Sequence, residues 1–148
     1  MNEVLKKLGP SKQNPILIIN APEEYKLVMK DIKSEIHNQV STKYEFIQIF
    51  EDNLSDAHKK VKEIISALKD GGLLWFCYPK SSSKKYHSDI NRGKAMEFFG
   101  PYNFESVFQI SIDNDWTAMR FRNVDEIKSL KRKFAVSDKG KERIKGNK

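Results

Sequence analysis

Six apolar residues in a row, Leu73-Leu74-Trp75-Phe76-Cys77-Tyr78, stand between Gly71-Gly72 and Pro79. This run constrains the fold more than any other feature. It is too short for a buried helix, and its β-formers suit a strand that is apolar on both faces. Such a strand needs a covering layer above and below. Ile16-Leu17-Ile18-Ile19 and Tyr44-Glu-Phe-Ile-Gln-Ile-Phe50 have the same character. Three strands of this kind in one chain require a sheet clad on both sides.

The segments between them supply the cladding. Tyr25, Val28, Met29, Ile32 and Ile36 recur at spacings of three and four, which predicts a helix after the first strand. Pro22 suits its first turn, and Val40-Ser41-Thr42 is read as a rudimentary edge strand. Ala57, Val61, Ile64, Ile65 and Leu68 form a second stripe, with Ser55 as its N-cap and Gly71-Gly72 as its stop. A polar loop over 80–88 leads to a helix over 90–99, capped by Ser88 or Asp89 and ended by Gly100-Pro101. Ile90, Met96 and Phe99 are its buried positions. Val4, Leu5 and Leu8 predict a short docking helix near the N-terminus. Phe104–Ile112 and Trp116–Arg122 are joined by only Asp113-Asn114-Asp115, which dictates an antiparallel hairpin. The fold class that follows is α/β: a three-layer sandwich, its sheet mostly parallel, with an antiparallel C-terminal hairpin.

Charge divides the chain unevenly. Of 148 residues, 27 are Lys or Arg and 20 are Asp or Glu. Residues 131–148 carry eight of the basic groups against Asp138 and Glu142, so that stretch holds +6 of the net +7. The expectation is one domain over 1–130 and a disordered basic tail over 131–148, which attracts nucleic acid weakly or only aids solubility. The single Cys77 excludes an intramolecular disulfide framework and a thiolate-rich zinc site. His37, His58 and His87 lack metal-ligand spacing, so no metal is expected. No apolar run approaches the length of a membrane span, and the N-terminus lacks a secretory stretch, which leaves a cytoplasmic protein without membrane association as the expectation.

Four motifs then carry a resemblance. They are Asn20-Ala21-Pro22 after the first strand, Tyr78-Pro79-Lys80-Ser81-Ser82 after the Gly-Gly strand, Asp89-Ile90-Asn91-Arg92, and Asp113-Asn114-Asp115-Trp116-Thr117-Ala118-Met119-Arg120-Phe121-Arg122. Over roughly residues 3–123 the chain resembles a small bacterial family of unknown function with a reduced fold of the S-adenosylmethionine-dependent methyltransferase type. Leu68-Lys69-Asp70-Gly71-Gly72-Leu73-Leu74 is similar to the step by which working methyltransferases enter a late central strand. The resemblance implies their scaffold, here as a truncated Rossmann-like three-layer sandwich. The sequence departs from their cofactor site. The first turn, Asn20-Ala21-Pro22-Glu23-Glu24, has no glycine to admit close backbone approach, and Pro22 lacks a donor. No acidic residue is placed to hold ribose hydroxyls; Glu35 and Glu45 are the nearest.

In an open α/β sheet, ligands lie beyond the carboxyl ends of the strands. Candidate ligand residues at that rim are Asn20, Asp52, Lys80, Lys84, Lys85, Arg92 and Trp116. Arg92 and Lys80 suit a phosphate or carboxylate, and Trp116 could stack or simply pack. Glu51 and Asp52 are possible general bases or mere caps. Arg120 and Arg122 share a strand face that Asp113 and Asp115 could neutralise. A Cys77–His87 dyad is discounted because Cys77 lies inside an apolar strand. The expectation is a non-catalytic binding or regulatory module that recognises an anionic partner at the rim and needs no cofactor. The alternatives are an enzyme for a small anionic substrate, including a divergent S-adenosylmethionine-dependent methyltransferase, and nucleic-acid association through the tail.

Overall fold

A computed structural model describes residues 3–10, 12–127 and 135–146. Six strands form one sheet: β1 (Ile16–Ile19), β2 (Ile36–His37), β3 (Tyr44–Phe50), β4 (Leu68–Pro79), β5 (Phe104–Ser111) and β6 (Trp116–Asn123). Their spatial order is β2-β1-β3-β4-β6-β5. β2, β1, β3 and β4 run parallel, and β6 and β5 close the sheet antiparallel. The helices are α1 (Glu3–Leu8), α2 (Lys26–Met29), α3 (Leu54–Ala67), α4 (Arg92–Phe98) and α5 (Asp138–Gly146).

Both faces are covered, as the apolar runs require. On one face Leu17, Ile47, Ile49, Leu74 and Phe76 pack with Ala57, Val61 and Ile64 of α3 and Ala95 and Phe98 of α4. On the other, Ile16, Ile18, Phe46, Trp75 and Cys77 pack with Leu5 and Leu8 of α1 and with Tyr25. The Trp75 indole N–H donates to the Leu8 carbonyl at 2.9 Å, which fixes the N-terminal helix on the sheet. Gln48, fully buried in β3, accepts from the Tyr25 hydroxyl and donates to the Cys77 sulfur.

Several expectations change. The stripe from Tyr25 to Ile36 is not one helix. After a single turn at α2 the chain extends, because Ser34 Oγ donates to the Gln13 carbonyl, Glu35 N–H to Asn14 Oδ1 and Ile16 N–H to the Glu35 carbonyl. Those bonds lay Ile36 beside Ile16 as the edge strand, so β2 falls at 36–37 and not at 40–42. The stripe is still half-buried, since Val28, Met29, Ile32 and Ile36 pack against the second core. α3 is capped by Asn53, whose side chain accepts from Asp56 N–H, not by Ser55. α4 is capped by Asn91; Asp89 serves α3 instead, accepting from Leu54 N–H, and Ser88 accepts from Ile90 N–H. α3 ends at Ala67, before the two glycines, which belong to an outward bulge of β4. Tyr44 pairs with Leu68 and Phe46 with Leu73, so β4 takes five steps where β3 takes two.

The basic tail also differs from expectation where it is described. Residues 138–146 are helical, and the chain before them docks on β5. Glu105, fully buried, accepts from the Val136 and Ser137 amides and from the Ser137 hydroxyl. Arg143 donates to the Val124 carbonyl at 2.6 Å, and Lys139 pairs with Asp125 at 3.1 Å. The disorder expected over 131–134 and 147–148 lies outside the described residues.

The β4 bulge yields a stability test. A Cβ at Gly72 would lie 2.9 Å from both Leu68 Cδ1 and the Lys69 carbonyl and 3.2 Å from the Glu45 carbonyl, whereas one at Gly93 meets nothing closer than 3.6 Å. Gly72→Ala is expected to lower unfolding stability by about 2 kcal/mol, because backbone atoms must move. Gly93→Ala, in a helical turn, is expected to be neutral or to gain up to about 1 kcal/mol. Urea unfolding of both variants checks the pair.

Candidate functional site

The order of strands reverses between β1 and β3, with β1 leading outward to β2 and β3 leading the other way to β4. This is the switch point at which open α/β sheets bind ligands. Asn20 leaves β1 there in the left-handed conformation, φ 59°. Its side-chain amide donates to Glu51 Oε1 at 3.1 Å, and Lys60 of α3 donates to the same oxygen at 2.7 Å. Glu51 is only 3% exposed. A buried carboxylate needs such partners, because desolvation would otherwise outweigh its value. Asn20 thus meets Glu51, while Asp52 faces solvent and accepts from Asn53.

A second convergence lies where the turn after β1 faces the loop after β4. Tyr86 donates its hydroxyl to Glu24 Oε1 at 2.6 Å, and Trp116 Nε1 reaches the same oxygen at 3.3 Å. Lys85 approaches Glu24 Oε2 at 3.2 Å. Burial alone would raise the Glu24 pKa, but Tyr86, the residue's own backbone N–H, Lys85 and Trp116 together bring it from the ordinary 4.5 down to about 2. Tyr86 and Lys85 shift upward in return, burial leading for Tyr86 and the Glu24 hydrogen bond for Lys85. Under this polar junction, the Trp116 ring lies 4.9 Å from Tyr86 and 5.3 Å from Phe50. The loop itself is pinned: Lys80 N–H donates to the Asp115 carbonyl, Ser83 Oγ to Asp115 Oδ1, and Tyr86 N–H to Ser83 Oγ.

The other candidates disperse. Lys80 Nζ donates to Ser111 Oγ at 2.6 Å. Arg92 lies on α4 and reaches Gln109 at 3.3 Å. Lys84 is exposed. Trp116, at 4% exposure, packs. Cys77 is fully buried, and burial pushes its thiol up to about 12, against a weaker opposing bond from Gln48. No thiolate forms there at neutral pH, so the dyad with exposed His87 has no nucleophile. Among the described residues, no three His, Cys, Asp or Glu side chains are grouped to hold a metal. Nor is any helix among them long and apolar enough to cross a membrane.

An adenosyl cofactor would need backbone donors in the turn after β1 and a carboxylate at the end of β2. The turn here contains Pro22, which has no N–H, and β2 ends in His37-Asn38-Gln39. Glu35 precedes β2 and is well exposed, 3.6 Å from His37 Nε2. The gap between the two rim loops is bridged by Glu24 and Tyr86. In these two places, the turn at Pro22 and the end of β2, the residues depart from what that group needs.

No family model matches the sequence, and no curated protein matches it significantly. Solved structures do. The ribosomal protein L11 methylase of Lactobacillus delbrueckii subsp. bulgaricus aligns with a TM-score of 0.51 and 8% identity, over 81% of this chain and 74% of that one. The N-methyltransferase NodS of Bradyrhizobium japonicum WM9 aligns at 0.46 with 13% identity, over 72% of each chain. The first likeness shows a methyltransferase-like fold, in agreement with the sheet order.

The Glu24 junction makes stability depend on pH. The Glu24 pKa is lower in the folded chain than in the unfolded one, so its contribution is full above about pH 4.5 and fades as pH falls toward 2. Comparing wild type with Glu24→Gln by urea unfolding, the stability gap is expected at pH 6 and is expected to close progressively below pH 4.5.

Proposed function

We propose that this chain is a binding module on a methyltransferase-type scaffold, acting without methyl transfer, and that it recognises an anionic partner at the strand-end rim. One observation carries this: Glu24 takes donors from Tyr86, Trp116 and Lys85, tying the two loops between which a cofactor would enter. The turn without glycine and β2 without a terminal carboxylate support it. For the partner, the rim offers Lys80, Lys84 and Arg92. Lys80 retains ammonium donors beyond its bond to Ser111, and the Arg92 guanidinium presents a fork suited to two oxygens.

A divergent methyltransferase is the alternative. It is favoured by the fold likeness and by Asn20, whose left-handed φ supplies the backbone turn that glycine makes elsewhere. Titration calorimetry separates the two. The binding module is expected to give no heat with S-adenosylmethionine or S-adenosylhomocysteine. Micromolar binding of either, lost in an Asn20→Ala variant, would establish the enzyme.

A further inference from the structure

Arg120 stands in the middle of β6, and its Nε is buried without a hydrogen-bond partner among the described residues. The register places it between Trp75 of β4 and Phe108 of β5, and directly opposed residues share a face. Arg122, two residues on, lies on the same face about 7 Å away. Trp75 is wholly buried, whereas Phe108 is 52% exposed, its ring 6.5 Å from the indole and edge-on. This part of the sheet is therefore covered near α1 and open toward β5.

An orphaned guanidinium nitrogen calls for explanation, since native interiors pair nearly all buried polar atoms and arginine does not discharge. Burial, and after it the like charge of Arg122, disfavour the charged form of Arg120. The acids the sequence suggested as partners are engaged elsewhere. Asp113 accepts from Asp115 and Trp116 N–H within the hairpin turn, and Asp115 accepts from Ser83. Glu105, opposite Arg122 in register, holds the amides and hydroxyl before α5. That docking brings a basic helix to the end of β6, with Lys141 and Lys145 exposed one turn apart.

We infer that the β5–β6 face binds single-stranded nucleic acid, with backbone phosphate on Arg120 and Arg122 and a base against Phe108. The guanidinium fork matches phosphate oxygens, and a phosphate would offset the like charges of Arg120 and Arg122 standing two residues apart on one face. An acidic peptide would use the cations equally well but has no use for an exposed ring beside them. A nucleic acid strand does, because every base has a face to stack. Nothing here reads base edges, so the surface accepts sequence broadly. It lies away from the rim and is independent of the function proposed there.

Fluorescence anisotropy of a short labelled oligothymidine, titrated with the full chain over a range of salt, tests this. Phe108→Ala, at an exposed position, is expected to weaken binding about fivefold or more. Arg120→Met with Arg122→Met keeps the side-chain stems. It is expected to weaken binding about tenfold or more and to flatten the salt slope by about 1.4, the share of two phosphates. Should the arginine variant unfold, as circular dichroism would reveal, Phe108→Ala alone decides. The inference is overturned if wild type does not bind. It also fails if Phe108→Ala binds like wild type, with Lys141→Gln and Lys145→Gln alone abolishing the signal, which would assign the effect to the helix. Equal competition by polyglutamate would point to an acidic protein instead and would likewise overturn it.

Discussion

The burial of β4 on both faces organises this molecule. Its residues from Leu74 to Tyr78 are nearly inaccessible, paired in parallel to β3 on one side and antiparallel to β6 on the other. Phe76 points to the layer of α3 and α4; Trp75 and Cys77 point to the layer of α1. Each fully buried side chain of this size contributes about 2 kcal/mol relative to exposure. Removing either layer would forfeit several such terms at once. The Trp75 indole adds a directional bond to Leu8, so the short helix α1 is held by a hydrogen bond as well as by area. A six-residue helix has little stability of its own, and its fold here is a consequence of what β4 presents to it.

That spine also dictates where ligands can go. Strands β1, β3 and β4 end at one rim, and the loops they release must cross it. Here the loops meet each other. Glu24 accepts three side-chain donors from the far side of the rim, and aromatic rings fill the space below. A carboxylate held ionised by convergent donors is a fixed joint between the loops and a poor welcome for a second anion. Exposed cations lie farther along, on Lys84 and on Arg92, which also reaches Gln109. The rim is thus split into an inner part bridged by Glu24 and an exposed basic flank.

The fold was legible where one physical signal dominated. Ile16–Ile19, Tyr44–Phe50 and Leu73–Tyr78 are apolar on both faces, and no soluble arrangement other than a clad sheet hides them. The hairpin followed from a three-residue connection. Legibility failed where distant backbone competed with local propensity. Residues 30–36 have a helical stripe, yet bonds to Gln13, Asn14 and Ile16 draw them into an edge strand. The caps slipped for a similar reason: Asp89 reached across 35 residues to α3 and left its own helix to Asn91. Residues 138–146 have the composition of a disordered tail, but a single buried acid, Glu105, supplies the partner that composition does not show. At the rim, Asn20, Lys85 and Trp116 were placed among the candidates, but their true partners were not. Glu24 and Tyr86 are 62 positions apart, and no periodicity links them.

Glu105 connects these misreadings to the charge distribution. An acid buried in the sheet and satisfied by tail amides fixes the basic helix beside β6. The charges of 138–146 then stop being a property of a loose chain and take fixed places next to Asp125 and Val124. Gly140 makes the approach possible, since a Cβ there would lie 2.7 Å from both the Glu105 carboxylate and Ser137 Oγ. Any larger residue would push α5 off its acid. Electrostatic attraction would survive such a change, because the lysines would remain. The bonds of Arg143 to the Val124 carbonyl and of Lys139 to Asp125 would not. Contact geometry, more than net charge, is what the docked helix adds to the protein.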